Sequence, residues 1–219
     1  MPINRLARAL RWTFALGLLM LAFHAGLARS AEVVQLRTER TDDGVFLSAL
    51  ISFDIAPAVE DALLKGIPMF FVAEADISRE RWYWTDKRVA SAARTIRLAY
   101  QPLTRRWRIN VAAGIVSSSS GLRASLNQSY DTLAEALVAV QRLTRWKIAE
   151  AGDIDPGARH ELAFSFRLDL SQLPRPFQIG VAGQRDWTIA AEVTQRLDLV
   201  PVRSSEFVPK EPVQEAAVK

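Results

Sequence analysis

The sequence has no cysteine among its 219 residues and only two histidines. The lack of cysteine excludes disulfide bridges, thiol nucleophiles and lipid attachment through a cysteine. His24 lies in the N-terminal segment, and no nucleophile or orienting acid stands at a recognised spacing from His160. We therefore expect His160 to be an exposed residue at a strand edge, and we expect no cofactor and no metal site.

The longest apolar run is too short to span a bilayer, which takes about 20 residues. Residues 1–30 contain four arginines, no acidic residue and the eleven-residue apolar block Trp12–Ala22, and the small residues Ala28 and Ser30 follow. This layout is typical of a signal peptide. We predict cleavage after residue 30 and a periplasmic protein exported by general secretion. An uncleaved leader that anchors the protein in the inner membrane is the alternative.

The chain has little net charge once the leader is set aside. The whole sequence carries 28 basic and 24 acidic residues, and removing the four leader arginines leaves 24 of each. This balance argues against a nucleic-acid partner. The charge is nevertheless uneven, because residues 31–78 hold 3 basic and 9 acidic residues while residues 79–108 hold 9 and 2. We expect these two oppositely charged segments to lie near each other in the fold.

Alternation of apolar and polar residues dominates the chain after the leader and predicts β-strands. It is clearest in the run from Leu162 to Leu170, and the Asp43-Gly44 pair predicts a hairpin turn between two such runs. Trp107, Trp146 and Trp187 are expected in the core. The predicted strands cover residues 34–38, 45–55, 68–77, 80–85, 92–100, 106–112, 162–170, 177–181 and 187–199, the last two as a C-terminal hairpin.

Two segments follow a helical period instead. One begins at Pro57 and can end at Gly66, and the other has the capping-box spacing of Thr132 and Glu135. In the second segment the apolar stripe runs on to Leu143. We predict a mainly β (α+β) fold, an antiparallel β-sandwich of about ten strands with two short amphipathic helices. The predicted domain covers residues 31–200, and residues 201–219 are expected to be a disordered tail.

Few groups in the sequence suit catalysis. Asp153 and Asp155 precede Gly157, but the further ligands of a calcium loop are missing, and turn chemistry explains the carboxylates. Ser117–Ser120 lack a nucleophile elbow and are expected to form a loop. We therefore predict that the protein is not an enzyme, with no catalytic residues.

The densest group of functional side chains combines arginine with tryptophan between residues 79 and 108. Two uses are open, either indoles packed in the core with arginines paired to acids, or a surface that binds an anionic lipid or an acidic partner. The residues predicted to bind in the second case are Arg79, Arg81, Trp82, Trp84, Lys87, Arg105 and Arg106.

Three strings of the sequence resemble a known family. They are Phe53–Phe71 (FDIAPAVEDALLKGIPMFF), Trp82–Lys87 (WYWTDK) and Tyr100–Arg108 (YQPLTRRWR). The chain is similar there to exported proteobacterial proteins of domain-of-unknown-function family 4390. The resemblance implies no assigned activity and no functional residues, but it implies a gene neighbourhood that often includes a membrane sensor kinase.

These observations lead to three functional hypotheses. The first is a periplasmic, non-enzymatic binding or accessory module that contacts a membrane sensor protein or anionic lipid through the arginine-tryptophan surface. The second is a carrier that holds a lipid-like or apolar ligand between the sheets and helices. The third is a hydrolase without a local motif. The sequence does not determine the oligomeric state.

Overall fold

Two β-sheets and two short helices make up the computed structural model, which describes residues 31–80, 87–115, 126–173, 187–197 and 200–201. The strands are β1 (Glu32–Thr41), β2 (Gly44–Ser52), β3 (Met69–Arg79), β4 (Lys87–Gln101), β5 (Arg106–Ala113), β6 (Leu126–Tyr130), β7 (Arg142–Ala149), β8 (His160–Leu168), β9 (Ala190–Arg196) and β10 (Val200–Pro201). The helices are α1 (Pro57–Leu64) and α2 (Leu133–Gln141). The predicted mainly β fold with about ten strands and two helices is confirmed.

The strands form a four-stranded sheet in the order β10-β1-β2-β7 and a six-stranded sheet in the order β6-β5-β4-β3-β8-β9. All pairs are antiparallel except β1 with β10. Helix α1 joins β2 to β3, and helix α2 joins β6 to β7. Each helix therefore connects one sheet to the other.

The core fills the space between the sheets with large apolar side chains. Phe53, Phe71 and Phe166 form an aromatic cluster with ring centroids 5.5 to 5.7 Å apart. The predicted core tryptophans are confirmed, because Trp107, Trp146 and Trp187 are all buried. These side chains come from both sheets and from the segment between them, so the core spans the whole sandwich.

The predicted β1–β2 hairpin is confirmed, with Thr41 paired to Gly44 across a two-residue loop. Gly44 has a φ of 142°, and a Cβ placed on it would lie 2.3 Å from the carbonyl oxygen of Ala149 on β7. The glycine is thus required by the close approach of β7 as well as by the turn.

Both predicted helices begin where the sequence places them. Pro57 stands in the first turn of α1, and Gly66 follows that helix with a φ of 83°. In α2 the Thr132 hydroxyl accepts from the Glu135 N–H at 3.2 Å, and the Glu135 carboxylate accepts from the Thr132 N–H at 3.4 Å. The capping box is therefore formed.

Three strands of the structure were not predicted, namely β6, β7 and the two-residue β10. The helical stripe was expected to reach Leu143, but α2 ends at Gln141 and Leu143 belongs to β7. The apolar residues of β7 do not alternate regularly, because Leu143 and Trp146 are three residues apart. Both are nevertheless buried, since the φ of 43° at Arg145 interrupts the regular alternation of side chains along the strand.

The prediction for His160 is wrong, since this residue is only 4% exposed. It begins β8 in phase with the inward-facing Leu162 and Phe164. Its ring Nε2 is buried and has no hydrogen-bond partner among the described residues. The turn interpretation of Asp155 is confirmed, because its carboxylate accepts from the Gly157 N–H at 2.9 Å.

Several predicted segments lie wholly or mainly outside the described residues. These are the signal peptide 1–30, strand 177–181, the loop Ser117–Ser120, all of strand 80–85 except Glu80, and the tail beyond Pro201. Glu80 is not in a strand. Val200 and Pro201 pair in parallel with Glu39 and Arg40 of β1. Of the two strands of the predicted C-terminal hairpin, only the second lies among the described residues. It corresponds to β9, which is shorter than predicted and pairs with β8.

Candidate functional site

The described residues of the predicted binding surface fall at two ends of β4. Arg79 and Lys87 are cross-strand partners where β3 ends and β4 begins. Lys87 is exposed, whereas the Arg79 guanidinium lies 3.3 Å from a carboxylate oxygen of Asp155, with about half of each side chain exposed. Arg81, Trp82 and Trp84 lie outside the described residues.

Arg105 and Arg106 lie at the opposite end, in and after the turn from β4 to β5. The fifteen residues of β4 place the two ends roughly 45 Å apart along the strand. Arg105 is exposed and has a φ of 53°. Arg106 donates through Nη2 and Nε to Asp131 at 2.6 and 3.0 Å. The structure thus separates the predicted residues into two groups and pairs Arg79 and Arg106 with acids.

A groove that the sequence analysis missed lies between the six-stranded sheet and helix α2. It has a volume of about 430 Å³ and is formed by the inward faces of β4, β5 and β6, by α2 and by the start of β7. Its apolar lining consists of Ile96, Ile109, Val111, Leu126, Ala139 and Leu143. Its polar lining consists of Arg94, Gln128, Arg142 and Thr144.

Local hydrogen bonds hold the walls of this groove. Where β5 ends, the Gly114 N–H donates to the Ala93 carbonyl at 2.7 Å, and the Thr95 hydroxyl donates to the Gly114 carbonyl at 2.8 Å. At the end of α2, the Gln141 side-chain amide donates to the Phe53 carbonyl at 2.7 Å. These hydrogen bonds therefore hold elements that supply both the sheet wall and the helix wall.

Arg94 is the distinctive side chain of the groove. It is half-buried, and its guanidinium carbon lies 5.2 Å from the centroid of the buried Trp146 ring. Burial lowers the pKa of Arg94 below its ordinary value, yet a guanidinium remains charged at neutral pH. Within the described ranges Arg94 forms no ion pair, and the face of the Trp146 indole gives its charge a cation–π contact.

The chemistry of the lining favours binding. Apolar walls can bury a hydrocarbon body, and an unpaired guanidinium can hold a carboxylate or another anion through two parallel hydrogen bonds. None of the described lining residues carries a carboxylate or an imidazole. In the part of the chain that the structure describes, no three potential metal ligands of the His, Asp and Glu type cluster together.

One signal in the sequence could have identified Arg94. It shares the inward phase of Ile96 and Leu98 on β4, where the alternation leads one to expect an apolar residue. A cation in that phase departs from the pattern of a core strand. The apolar wall supplied by β6 had no comparable signal, because that strand was itself not predicted.

The fold and the groove define a mainly β, sandwich-like α+β protein with an arginine-containing groove beside a helix. The family described as "Domain of unknown function (DUF4390)" matches residues 28–197. The chain belongs to this family, as its sequence strings indicate. Comparison with curated proteins and with solved structures gave no match. The two described helices, of eight and nine residues, are both too short to cross a bilayer.

Proposed function

We propose that this protein is an exported, non-enzymatic binding module that takes an anionic ligand with an apolar body into the groove at Arg94. The observation that carries the proposal is the half-buried Arg94, which forms no ion pair within the described residues and lies among apolar walls. Placing an unpaired cation in such surroundings destabilises a fold, so its presence is best explained by a ligand that supplies the missing charge.

The size and shape of the groove support this proposal. Its volume of about 430 Å³ lies within the range of about 300 to 1,000 Å³ that small-molecule sites occupy. The neighbouring Arg142 is exposed at the start of β7 and adds a second positive charge beside the opening. A fatty-acid-like anion would place its carboxylate at Arg94 and its chain against Ile96, Ile109 and Leu143.

A direct test measures the binding of dodecanoate to the purified protein by isothermal titration calorimetry. We expect the wild-type protein to bind, and we expect Arg94→Gln to weaken binding by about tenfold or more, because a charge-assisted hydrogen bond is lost. Arg97→Gln is the matched control, since Arg97 lies on the same strand but on its other face. Absence of dodecanoate binding, or equal loss in both variants, would contradict the proposed function.

Export rests on residues 1–30, whose arginines and apolar block resemble a signal peptide. The test is osmotic-shock fractionation of a Gram-negative host that expresses the full chain. We expect the protein in the periplasmic fraction with its N-terminus at Ala31. Recovery from the cytosol with the first thirty residues still attached would contradict export.

A further inference from the structure

Two arginines lie together on the outer face of the six-stranded sheet, the face opposite to the groove. Arg97 on β4 pairs with Asn110 on β5, and Arg108 is two residues from Asn110 on the same face. Nη1 of Arg97 donates to the side-chain oxygen of Asn110 at 3.4 Å. Arg97 and Arg108 both line one depression of about 310 Å³.

No acidic residue in the described part of the chain balances the charge of this arginine pair. Desolvation and then the neighbouring charge of Arg108 lower the pKa of Arg97. Among residues 31–80, 87–115, 126–173 and 187–197, neither arginine forms a salt bridge. The described residues that line the depression include no acid.

Arg108 also has an unused donor. Its Nε is buried and has no hydrogen-bond partner among the described residues, although the side chain as a whole is only half-buried. Buried donors are rarely left without an acceptor, so the described residues satisfy this guanidinium only in part. By contrast Arg106, two residues earlier on the same face of β5, already has its acid in Asp131.

We propose that Arg97 and Arg108 form a binding site for a doubly charged oxyanion, of which a phosphate monoester group is the prototype. Two adjacent guanidinium groups supply two positive charges and a set of donors that match phosphate oxygens. A phosphate monoester carries a charge of about −1.5 to −2 at pH 7, so it neutralises both arginines at once. Asn110 and Gln101, which also line the depression, add side-chain amides as further donors.

The site is independent of the groove at Arg94. Arg94 and Arg97 are three residues apart on one strand and therefore face opposite sides of the sheet. A ligand could occupy either position without contacting the other. The two proposals can for this reason fail separately.

The test titrates inorganic phosphate into the full chain at low ionic strength and follows binding by calorimetry and by phosphorus NMR. We expect binding that weakens as sodium chloride is added, because salt screens the charges. Arg97→Gln and Arg108→Gln should each reduce phosphate affinity by about tenfold or more. Acetate, with a single charge, should bind more weakly than phosphate.

Arg106→Gln is the matched control on the same face, and Arg94→Gln is the control on the other face. Both should keep the phosphate affinity of the wild-type protein. Melting temperatures of all four variants show whether each remains folded. Failure of phosphate to bind, acetate binding as strong as phosphate, or an equal loss in Arg106→Gln would overturn the proposal.

The phosphate can belong to a small ligand or to a lipid headgroup, and a second titration separates these sources. It uses vesicles of phosphatidylcholine with and without phosphatidic acid. Binding to phosphatidic acid that inorganic phosphate displaces supports the site with a lipid as its ligand. Phosphate binding without vesicle binding supports a small phosphorylated ligand. Vesicle binding that is insensitive to phosphate and to Arg97→Gln would overturn the proposal.

Discussion

Two regions of the six-stranded sheet differ in how arginine is neutralised, the region around β3 and the region formed by the far part of β4 with β5. Around β3 the charges are paired, because Arg167 of β8 lies 3.3 Å from Glu74 and Arg88 at the start of β4 lies 3.5 Å from Asp76. Further along β4 and on β5 the arginines at positions 94, 97 and 108 have no acid among the described residues. An arginine that has an acidic partner is therefore a structural charge, and one without such a partner is a candidate for binding. The number of arginines close together in the sequence does not make this distinction.

The outward-facing residues of β3 explain why Arg88 has an acid partner and Arg97 has none among the described residues. Glu74 and Asp76 occupy one half of that face, whereas Phe70 and Val72 occupy the half that stands opposite Arg97. The acidic segment 31–78 therefore reaches the basic segment 79–108 as expected, since β3 pairs with β4 along its length. It neutralises the start of β4 and leaves Arg97 beside apolar neighbours.

The largest effect is expected where the core depends on β3. Phe71 is fully buried and its ring lies 5.5 Å from Phe53 and 5.7 Å from Phe166. We expect Phe71→Ala to lower the free energy of unfolding by about 3 to 5 kcal/mol, measured by chemical denaturation. Leu126→Ala, in a residue of β6 that is 48% exposed, should change it by less than about 0.5 kcal/mol. Similar losses in both variants would erase the contrast between the two regions.

The second prediction removes a paired arginine. Arg167→Met leaves Glu74 without its partner and removes the cation that lies 4.0 Å from Asp169, whose carboxylate is only 10% exposed. We expect the free energy of unfolding to fall by roughly 1 to 2 kcal/mol, because a nearly buried carboxylate loses compensation. Urea denaturation measures the change. An unchanged or raised stability would show that this pairing does not support the fold.

The third prediction applies the same substitution to an unpaired arginine of the same face. Arg97→Met removes a half-buried charge beside Arg108, but water screens that charge and the hydrogen bond to Asn110 is lost as well, so we expect the free energy of unfolding to rise by no more than about 0.5 kcal/mol. The opposite signs for Arg97→Met and Arg167→Met sharpen the comparison. A loss of stability in Arg97→Met would mean that an acid or another contact compensates this guanidinium in solution.

The gain from Arg97→Met should also be independent of pH. A base whose pKa is lowered by folding binds its proton less tightly in the folded state, so it destabilises the fold at every pH where it is protonated. Arginine stays protonated well above neutrality. We therefore expect the same gain in urea denaturation between about pH 5 and pH 9. A gain that disappears within this range would point to a titrating partner.

Much of the fold was predictable because its strands repeat a simple period. The β1–β2 hairpin and the capping box of Thr132 follow from short-range chemistry that no distant contact overrides. Strand β7 was not predictable in the same way. The positive φ of Arg145 interrupts the alternation of side chains, so that Leu143 and Trp146 are both buried although they are three residues apart. That spacing is indistinguishable from a helical one in the sequence alone.

The candidate groove was harder to predict than the fold. Its walls come from β4, β5, β6, α2 and β7, which only the tertiary structure brings together. The local density of basic residues in the sequence instead favoured Arg105 and Arg106 as binding residues. Arg106 has its acid partner in Asp131, 25 residues further along the chain. No local sequence pattern indicates such a distant ion pair.

The smallest effect is expected at the turn between β4 and β5. The side chain of Arg106 is 50% exposed and that of its partner Asp131 is 74% exposed, so water screens the ion pair strongly. We expect Arg106→Glu to lower the free energy of unfolding by less than about 1 kcal/mol, measured by chemical denaturation. Arg105→Glu should have a still smaller effect, because that side chain is exposed and forms no ion pair among the described residues. A large drop in melting temperature for Arg105→Glu would show that the turn holds a structural contact, and the division between paired and unpaired arginines would then not extend to this turn.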